Sequence, residues 1–217
     1  MTADLFEDVR DIRPSRETMV EGAVLLRGFA KPIEDELIAA ITEIARQAPF
    51  RQMVTPGGHR MSVAMTNCGN FGWVTDRTGY RYDTLDPETG KPWPAMPASF
   101  SDLAERAADL AGFAGFSPDA CLINRYQPGA RMSLHQDKDE QDFGSPIVSV
   151  SLGLPATFLF GGLKRTDRPR RFRLEHGDIV VWGGPTRLAF HGVAPLADGE
   201  HGRMGRQRIN LTFRRAR

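Results

Sequence analysis

Three residues in the C-terminal half of the sequence have the types and the spacing of a metal site. His135 and Asp137 are separated by one residue, so both side chains point the same way if the segment is extended. His191 ends a later apolar run, where a strand would meet a turn. Taken singly, each of the three is more often structural. Together, two histidines and one carboxylate form the facial triad that holds Fe(II) in non-haem oxygenases and leaves positions open for a co-substrate and O₂.

The segment from Arg208 to Arg214 offers polar groups that could hold such a co-substrate. Side chains alternate between the two faces of a strand, so its apolar and polar residues separate. The polar face carries Arg208, Asn210, Thr212 and Arg214. Asn124 and Tyr126 share one face of an earlier segment in the same way. Contact with water is the commoner explanation of a polar face, whereas buried polar groups without partners would be costly.

The elements that must position these residues are mostly strands. From Asp119 onward, strand-like runs recur at short intervals between Pro-Gly and Gly-Gly pairs, a rhythm typical of a β-sandwich or barrel. The predicted strands are Cys121–Tyr126, Ile147–Leu152, Thr157–Phe160, Arg171–Leu174, Ile179–Trp182, Leu188–His191 and Arg208–Arg214. A short strand, Val24–Phe29, precedes them, as do two helices, one beginning near Pro32 and one running from near Ser99 towards Gly112. We therefore expect a mainly β, α+β fold with helices packed on one sheet.

The interval from Pro49 to Pro97 is rich in Gly, Met and aromatic residues and has no clean period. Such an interval is long for a structureless loop inside a compact domain. It is therefore expected to be a functional lid or to contain small pieces of sheet.

Length and charge set limits on the function. The chain is long enough for one domain, residues 1–217, with a proper core, and its net charge of +1 gives no general attraction to nucleic acid. Arginines nevertheless cluster in 165–173 and 203–217. A solvated face is the simpler explanation of these clusters, and phosphate binding by the guanidinium fork is the alternative.

The remaining composition points to the cytoplasm. Cys68 and Cys121 are too few for a disulfide framework and are expected to stay reduced. The segment Met1–Arg10 is acidic and lacks the apolar core of a signal peptide. No stretch approaches the roughly 20 apolar residues of a membrane span. We expect a cytoplasmic protein with no membrane contact.

The motifs together resemble the AlkB-type nucleic-acid dealkylating dioxygenases, and among them the bacterial alkylated-DNA repair enzymes. The short motifs that carry the likeness are Asn124-Arg125-Tyr126, His135-Gln136-Asp137, His191-Gly192 and the segment 208–214. The longer ones are 49–58, 61–69 and 91–97, and the likeness runs from Leu5-Phe6 to Arg214. His59 departs from the family pattern, where an aromatic hydroxyl is expected, and this concerns one contact on the phosphate or substrate side.

The resemblance implies a double-stranded β-helix (jelly-roll) core at about 119–215 and a nucleotide-recognition lid at about 49–97. It implies that His135, Asp137 and His191 bind Fe(II) and form the catalytic centre. Arg208 would take the distal carboxylate of 2-oxoglutarate bidentately. The full co-substrate set would be Asn124, Tyr126, Ser149, Arg208, Asn210 and Arg214.

The resemblance also implies a pocket for one base. Trp73 and His135 would stack on its two faces, while Asp139 would favour the positive charge of a methylated adenine or cytosine. Met65 would form an adaptable apolar wall. Thr55 and Tyr80 would contact phosphate, and Arg165 would position the substrate. Tyr82 is as readily explained by packing against the sheet.

The implied reaction is oxidative dealkylation of N-alkylated bases, of the 1-methyladenine and 3-methylcytosine type, in single-stranded DNA, with RNA as a further candidate substrate. 2-Oxoglutarate and O₂ would become succinate and CO₂, and a methyl group would leave as formaldehyde. An RNA, protein or small-molecule substrate is an alternative, and so is a non-catalytic binder of alkylated nucleic acid. The intact triad argues against the binder. No obligate protein partner is implied.

Overall fold

The computed structural model describes residues 15–217. Leu5-Phe6 and Met1–Arg10, on which the start of the family likeness and the signal-peptide prediction depend, lie outside the described residues. The strands are β1 Ser15–Val20, β2 Ala23–Arg27, β3 Ala64–Gly69, β4 Gly72–Asp76, β5 Gly79–Asp83, β6 Ala120–Tyr126, β7 Met132–His135, β8 Ile147–Gly153, β9 Ala156–Phe160, β10 Arg170–Leu174, β11 Ile179–Trp182, β12 His191–Val193 and β13 Arg208–Arg214; the helices are α1 Glu34–Gln47 and α2 Ala98–Ala111.

The strands form two facing sheets and a separate hairpin. The larger sheet has the order β1-β2-β11-β8-β13-β6-β3, the smaller sheet the order β10-β9-β12-β7, and β4 pairs with β5. Neighbouring strands are antiparallel throughout. The predicted two-sheet jelly-roll core is confirmed.

Both helices pack on the outer face of the larger sheet, as predicted. A 3₁₀ turn at Lys31–Ile33 leads into α1, and Gly112, at φ 95°, ends α2 in the left-handed conformation that glycine adopts without a Cβ clash. Alternate residues of the central strands, such as Ile209, face these helices. The other residues of each strand point between the sheets, where Trp182 and Phe158 are buried.

One predicted strand is wrong, and β1, β3, β4, β5 and β7 were not among the predicted strands. The strand placed at Leu188–His191 begins only at His191, because the residues before it form a turn in which the Ala189 N–H donates to the Thr186 carbonyl (2.8 Å). Its apolar composition reflects burial rather than extension. Conversely, β3 lies within the interval assigned to the lid but pairs with β6 in the larger sheet. Its four central residues are all buried, which removes the alternation by which a strand is recognised.

None of the described helices has the length and apolar character needed to cross a membrane.

Candidate metal centre and co-substrate pocket

Two neighbouring strands of the smaller sheet bring the three predicted metal ligands together. His135, at the end of β7, and His191, at the start of β12, are direct cross-strand partners. Asp137 follows two residues after β7, and one ligand atom from each of the three residues lies within 4.8 Å of the others. The Nε2 atoms of His135 and His191 lie 3.6 and 3.7 Å from the Asp137 carboxylate oxygens. This is the one such cluster of ligand-type side chains found within residues 15–217.

Backbone carbonyls fix the orientation of both imidazoles. The Nδ1 atom of His135 lies 2.9 Å from the Ser133 carbonyl oxygen, and that of His191 lies 3.0 Å from the Ala189 carbonyl oxygen. A carbonyl only accepts, so each Nδ1 carries a proton and each Nε2 is the ring nitrogen that faces Asp137 and the metal position. Burial, followed by the charge of His135, lowers the pKa of His191 to about 4. His191 is therefore neutral at pH 7, the form that binds metal.

Gly192 allows β12 to approach β7 closely enough to align the two histidines. A Cβ atom at this position would lie 2.6 Å from the Met132 carbonyl oxygen, a distance that real side chains do not reach. The requirement for glycine directly after a ligand histidine therefore comes from strand packing.

A buried network holds the third ligand. Arg214 donates from Nη2 and Nε to one carboxylate oxygen of Asp137, at 2.6 and 3.0 Å. Burial opposes ionisation of Asp137, but the charges of Arg214 and of the two ligand histidines outweigh it and lower the pKa of this carboxyl. Glu140 forms an ion pair with Arg214 (Nε to Oε1, 3.1 Å) and accepts a hydrogen bond from the hydroxyl of Tyr82 on β5 (2.8 Å). The β4–β5 hairpin is thereby tied to the triad.

The polar face of β13 points into a cavity beside the triad rather than into water. Arg208 is 1% exposed; its Nη2 donates to the Ser151 hydroxyl (2.8 Å) and its guanidinium lies 5.0 Å from the Tyr126 ring centroid. Its Nε and Nη1 have no hydrogen-bond partner, and within residues 15–217 no carboxylate pairs with it. Burial lowers the pKa of Arg208. The cavity is also lined by Asn124, Tyr126, Ser149, Asn210, Thr212, Arg214, His135 and His191.

Comparison with known proteins agrees with this geometry. The sequence profile of the 2OG-Fe(II) oxygenase superfamily matches residues 22–214. The alpha-ketoglutarate-dependent dioxygenase AlkB of Escherichia coli (strain K12) is 61% identical over 98% of this chain and 97% of its own length. The chain belongs to the AlkB-type 2OG-Fe(II) oxygenases. The AlkB-type oxygenase described here therefore uses Fe(II), 2-oxoglutarate and O₂.

More distant relatives of this AlkB-type oxygenase carry names that refer to nucleic acid. DNA N(6)-methyladenine demethylase ALKBH1D of Arabidopsis thaliana is 31% identical over 89% of this chain and 49% of its own length. The tRNA demethylase abh1 of Schizosaccharomyces pombe is 29% identical over 67% of this chain and 52% of its own length. The solved structure of OsALKBH1 superposes with a TM-score of 0.81 and 29% identity, covering 93% of this chain and all of the other.

The side chains present fit both groups that the superfamily requires. Two neutral imidazoles and one carboxylate are ligands that suit Fe(II) and leave coordination positions open. The buried guanidinium of Arg208, with two unpartnered donors, fits a carboxylate that would accept from both. Asn124 Oδ1, also buried and unpartnered, lines the same cavity.

The predicted substrate residues fall into two groups. Trp73, on β4, donates from Nε1 to Asp139 (2.8 Å), and its ring stacks on Tyr80 at 5.7 Å between centroids. Trp73, Tyr80 and Asp139 therefore lie together, next to the segment that carries Asp137. Met65 is 1% exposed in the core that includes Trp73. Thr55 and Arg165 make other contacts: Thr55 belongs to an exposed turn in which its hydroxyl accepts from the His59 N–H (3.2 Å), and the exposed Arg165 lies over the Phe190 ring.

Sequence reasoning missed three residues that support the site. Glu140 and Arg187 are 6% and 3% exposed, and Arg187 donates to the backbone carbonyl of Asp137 (2.9 Å). Ser151 is the hydroxyl that holds Arg208. Period-two alternation from Ser149 could have revealed Ser151, whereas nothing in the local sequence signals a buried glutamate. The proposal that Tyr82 packs against the sheet is consistent with its 7% exposure and its bond to Glu140.

Proposed function

We propose that this oxygenase removes alkyl groups from the ring nitrogens of bases, of the 1-methyladenine and 3-methylcytosine type, in single-stranded DNA. The observation that carries this proposal is the Trp73–Asp139 hydrogen bond beside the triad. It combines an aromatic face with a carboxylate, the pairing that suits a flat base bearing a positive charge. The nucleic-acid names of the relatives support the substrate class.

In this proposal His135, Asp137 and His191 bind Fe(II), and Arg208 binds the distal carboxylate of 2-oxoglutarate. The remaining co-substrate contacts come from Asn124, Tyr126, Ser149, Asn210 and Arg214. When bound, Fe(II), 2-oxoglutarate and O₂ supply an oxidant that hydroxylates the alkyl carbon while 2-oxoglutarate becomes succinate and CO₂. The hydroxylated group then leaves the base as an aldehyde.

The protein's own residues position the base. Tyr80 covers one face of the Trp73 indole, so the base stacks on the other face. His135 then contacts the face of the base that points away from Trp73. His135 suits this position because its side chain is 38% exposed whereas that of Asp137 is 8% exposed. The carboxylate of Asp139, fixed by Trp73, lies where it favours a cationic ring. Met65 supports the wall of this pocket. Thr55, Tyr80 and Arg165 contact the nucleic-acid strand on either side of the bound base.

We propose one domain spanning residues 1–217, with a lid at about 49–97 and a catalytic core at about 119–215, acting without an obligate protein partner. The buried, unpaired thiols of Cys68 and Cys121 suit a reducing cytoplasm. RNA is a second candidate substrate, favoured by the relative named as a tRNA demethylase.

The test is an assay of Fe(II)-loaded protein on short single strands that carry one 1-methyladenine. Mass spectrometry would follow loss of the methyl group, with succinate measured in parallel. DNA and RNA strands of one sequence would be compared, and His135→Ala would serve as the inactive control. Asp139→Asn would test the base pocket, because it keeps the shape and removes the charge.

Demethylation matched by succinate, and absent from His135→Ala, is the expected result. Faster turnover of the RNA strand than of the DNA strand would make RNA the primary substrate. Succinate formation without demethylation of either strand would leave an oxygenase with a different substrate and would refute the proposed repair function.

A further inference from the structure

A second concave site lies on the opposite face of β6 from the co-substrate cavity. It is a polar groove of about 480 Å³, defined by Arg60, Arg125, Gln52, Gln127, Ser62 and Phe50 together with the flanking Arg51, Ala64 and Glu88. Arg125 stands between Asn124 and Tyr126, which line the cavity. Because side chains alternate along a strand, Arg125 points away from the cavity and into the groove.

One wall of the groove is a hairpin-shaped arm, residues 51–65. Bridges between Arg51 and Met65 and between Val54 and Arg60 hold its two sides together. Its inner face is apolar and packs with Trp73 in the core beside the proposed base pocket, through Met53, Val63 and Met65. Its outer face carries Gln52, Arg60 and Ser62 towards the groove. The arm therefore separates the base pocket from the groove, and its tip is the exposed turn at 55–59.

The groove carries positive charge that its own carboxylate does not neutralise. Glu88 and the nearby Asp86 both pair with Arg51, at 3.3 and 2.6 Å. Within residues 15–217, neither Arg60 nor Arg125 has a carboxylate within ion-pair distance. The Arg125 guanidinium lies 4.6 Å from the Phe50 ring centroid. Stacking fixes the plane of a guanidinium and leaves its edge free to donate two parallel hydrogen bonds.

We propose that this groove binds a phosphodiester of the same nucleic-acid strand, beyond the nucleotide whose base enters the site. The inference rests on the proposed function. The groove offers two unpaired guanidinium groups beside amide and hydroxyl donors. These hydrogen-bond donors suit phosphate oxygens, which carry no information about the base sequence. A strand that enters the base pocket passes the turn at 55–59 and reaches the outer face of the arm. Arg60 and Arg125 each make one phosphate contact there.

The test compares binding of a length series of single strands, from three to thirteen nucleotides, each with one 1-methyladenine. The full chain with Fe(II) and 2-oxoglutarate is kept without O₂, and fluorescence anisotropy is measured at several salt concentrations. For single strands, log K falls with log salt by about 0.7 per phosphate contact. The Arg60→Ala/Arg125→Ala variant should therefore lower this slope by about 1.4 on the longest strand. At 0.1 M salt this corresponds to about 25-fold weaker binding.

The matched control is Arg106→Ala. Arg106, like Arg125, lies beside a phenylalanine, Phe29 at 5.5 Å, but it is on α2, which packs near β2 and β11, far from the β3 edge of the larger sheet. This variant loses one positive charge and the same kind of stacking that Arg125 loses in the double variant, and we expect no change in slope. Arg60→Ala alone removes a side chain with no stacking partner, so its effect is independent of any packing lost with Arg125.

The expected result is an increase in wild-type affinity at one strand length, which is lost in the double variant and reduced in Arg60→Ala. Equal weakening at every length would place these arginines at the base pocket and overturn the proposal, as would an unchanged salt slope. Failure of the proposed function is a separate result, seen in the demethylation assay with O₂: the wild-type protein would then leave the methyl group in place on every strand, whatever the salt slope.

Discussion

Arg208 and Arg214 are two buried arginines on the same face of β13. We expect the same substitution at these two positions to change the stability of the protein in opposite directions. Arg214 pairs with Asp137 and Glu140, whereas Arg208 pairs with no carboxylate among the described residues. We expect Arg208→Met to raise the free energy of unfolding of protein stripped of metal and 2-oxoglutarate. We expect Arg214→Met to lower it.

The magnitude follows from the unmade hydrogen bonds of Arg208. Its Nε and Nη1 are buried without partners, and each such donor costs about 1–3 kcal/mol. Substitution also removes the bond to Ser151 and the contact with Tyr126, together worth about 2 kcal/mol. The net stabilisation is therefore about 2 kcal/mol, or a rise of about 4–8 °C in Tm for a chain of this length. Arg214→Met would leave the buried carboxylate of Asp137 without its arginine and Glu140 with Arg187 as its remaining partner, at a cost of about 3–5 kcal/mol.

The assay is thermal unfolding by calorimetry after chelation and dialysis, repeated with Mn(II) and 2-oxoglutarate. Added at about 100 times its Kd, 2-oxoglutarate should stabilise the wild-type protein by about 2.7 kcal/mol through linkage. It should leave Arg208→Met unchanged. A lower Tm for ligand-free Arg208→Met than for the wild-type protein would refute the reasoning, since the guanidinium would then be satisfied by contacts within the protein.

Three further changes test the geometry of the site. Gly192→Ala should force β12 away from β7 and destabilise the protein by about 1–3 kcal/mol, with weaker Co(II) binding in an absorbance titration; unaltered Co(II) affinity would show that the strands tolerate the methyl group. Tyr82→Phe removes the hydroxyl that donates to Glu140 and should cost about 1–2 kcal/mol in urea unfolding; faster amide exchange in β4 and β5 would show that the hairpin has loosened. Asp139→Asn should raise KM for a cationic 1-methyladenine strand at least several-fold with a smaller change for a neutral 1,N6-ethenoadenine strand; equal changes in KM would argue against a role for the charge.

The elements with strong periodic signals were predictable from the sequence. The segment 208–214 and Ile179–Trp182 form strands with the predicted bounds, and α2 ends at Gly112 as its glycine indicated. The alternation in β13 also separated the residues that face the helices from those that face the cavity. What it could not decide was whether the polar face meets water, because that depends on a second sheet, distant in the chain, that covers it.

The missed features share a physical cause. The strand β3 is buried on both faces, so it lacks alternation, and β7 has only four residues, too few to establish a period. Glu140 joins Tyr82 to Arg214 across distant segments, and no local pattern encodes such a contact. The arginine clusters also proved mixed: Arg203 and Arg206 pair with carboxylates of this chain, Arg203 with Glu34 and Asp35 and Arg206 with Asp198, so they are poorly placed to meet phosphate.

Because His135 and His191 are cross-strand partners, a metal ion bound to both would cross-link the edge strand of the smaller sheet to its neighbour. The edge strand β7 is held on one side only, by a short and irregular ladder to β12. A metal ion bound to both histidines would join these strands by coordination bonds in addition to backbone hydrogen bonds. Without the ion, β7 should open far more often than the core, and local opening is what a protease cleaves. Metal removal should thus make the chain easier to cleave at β7 than in the core.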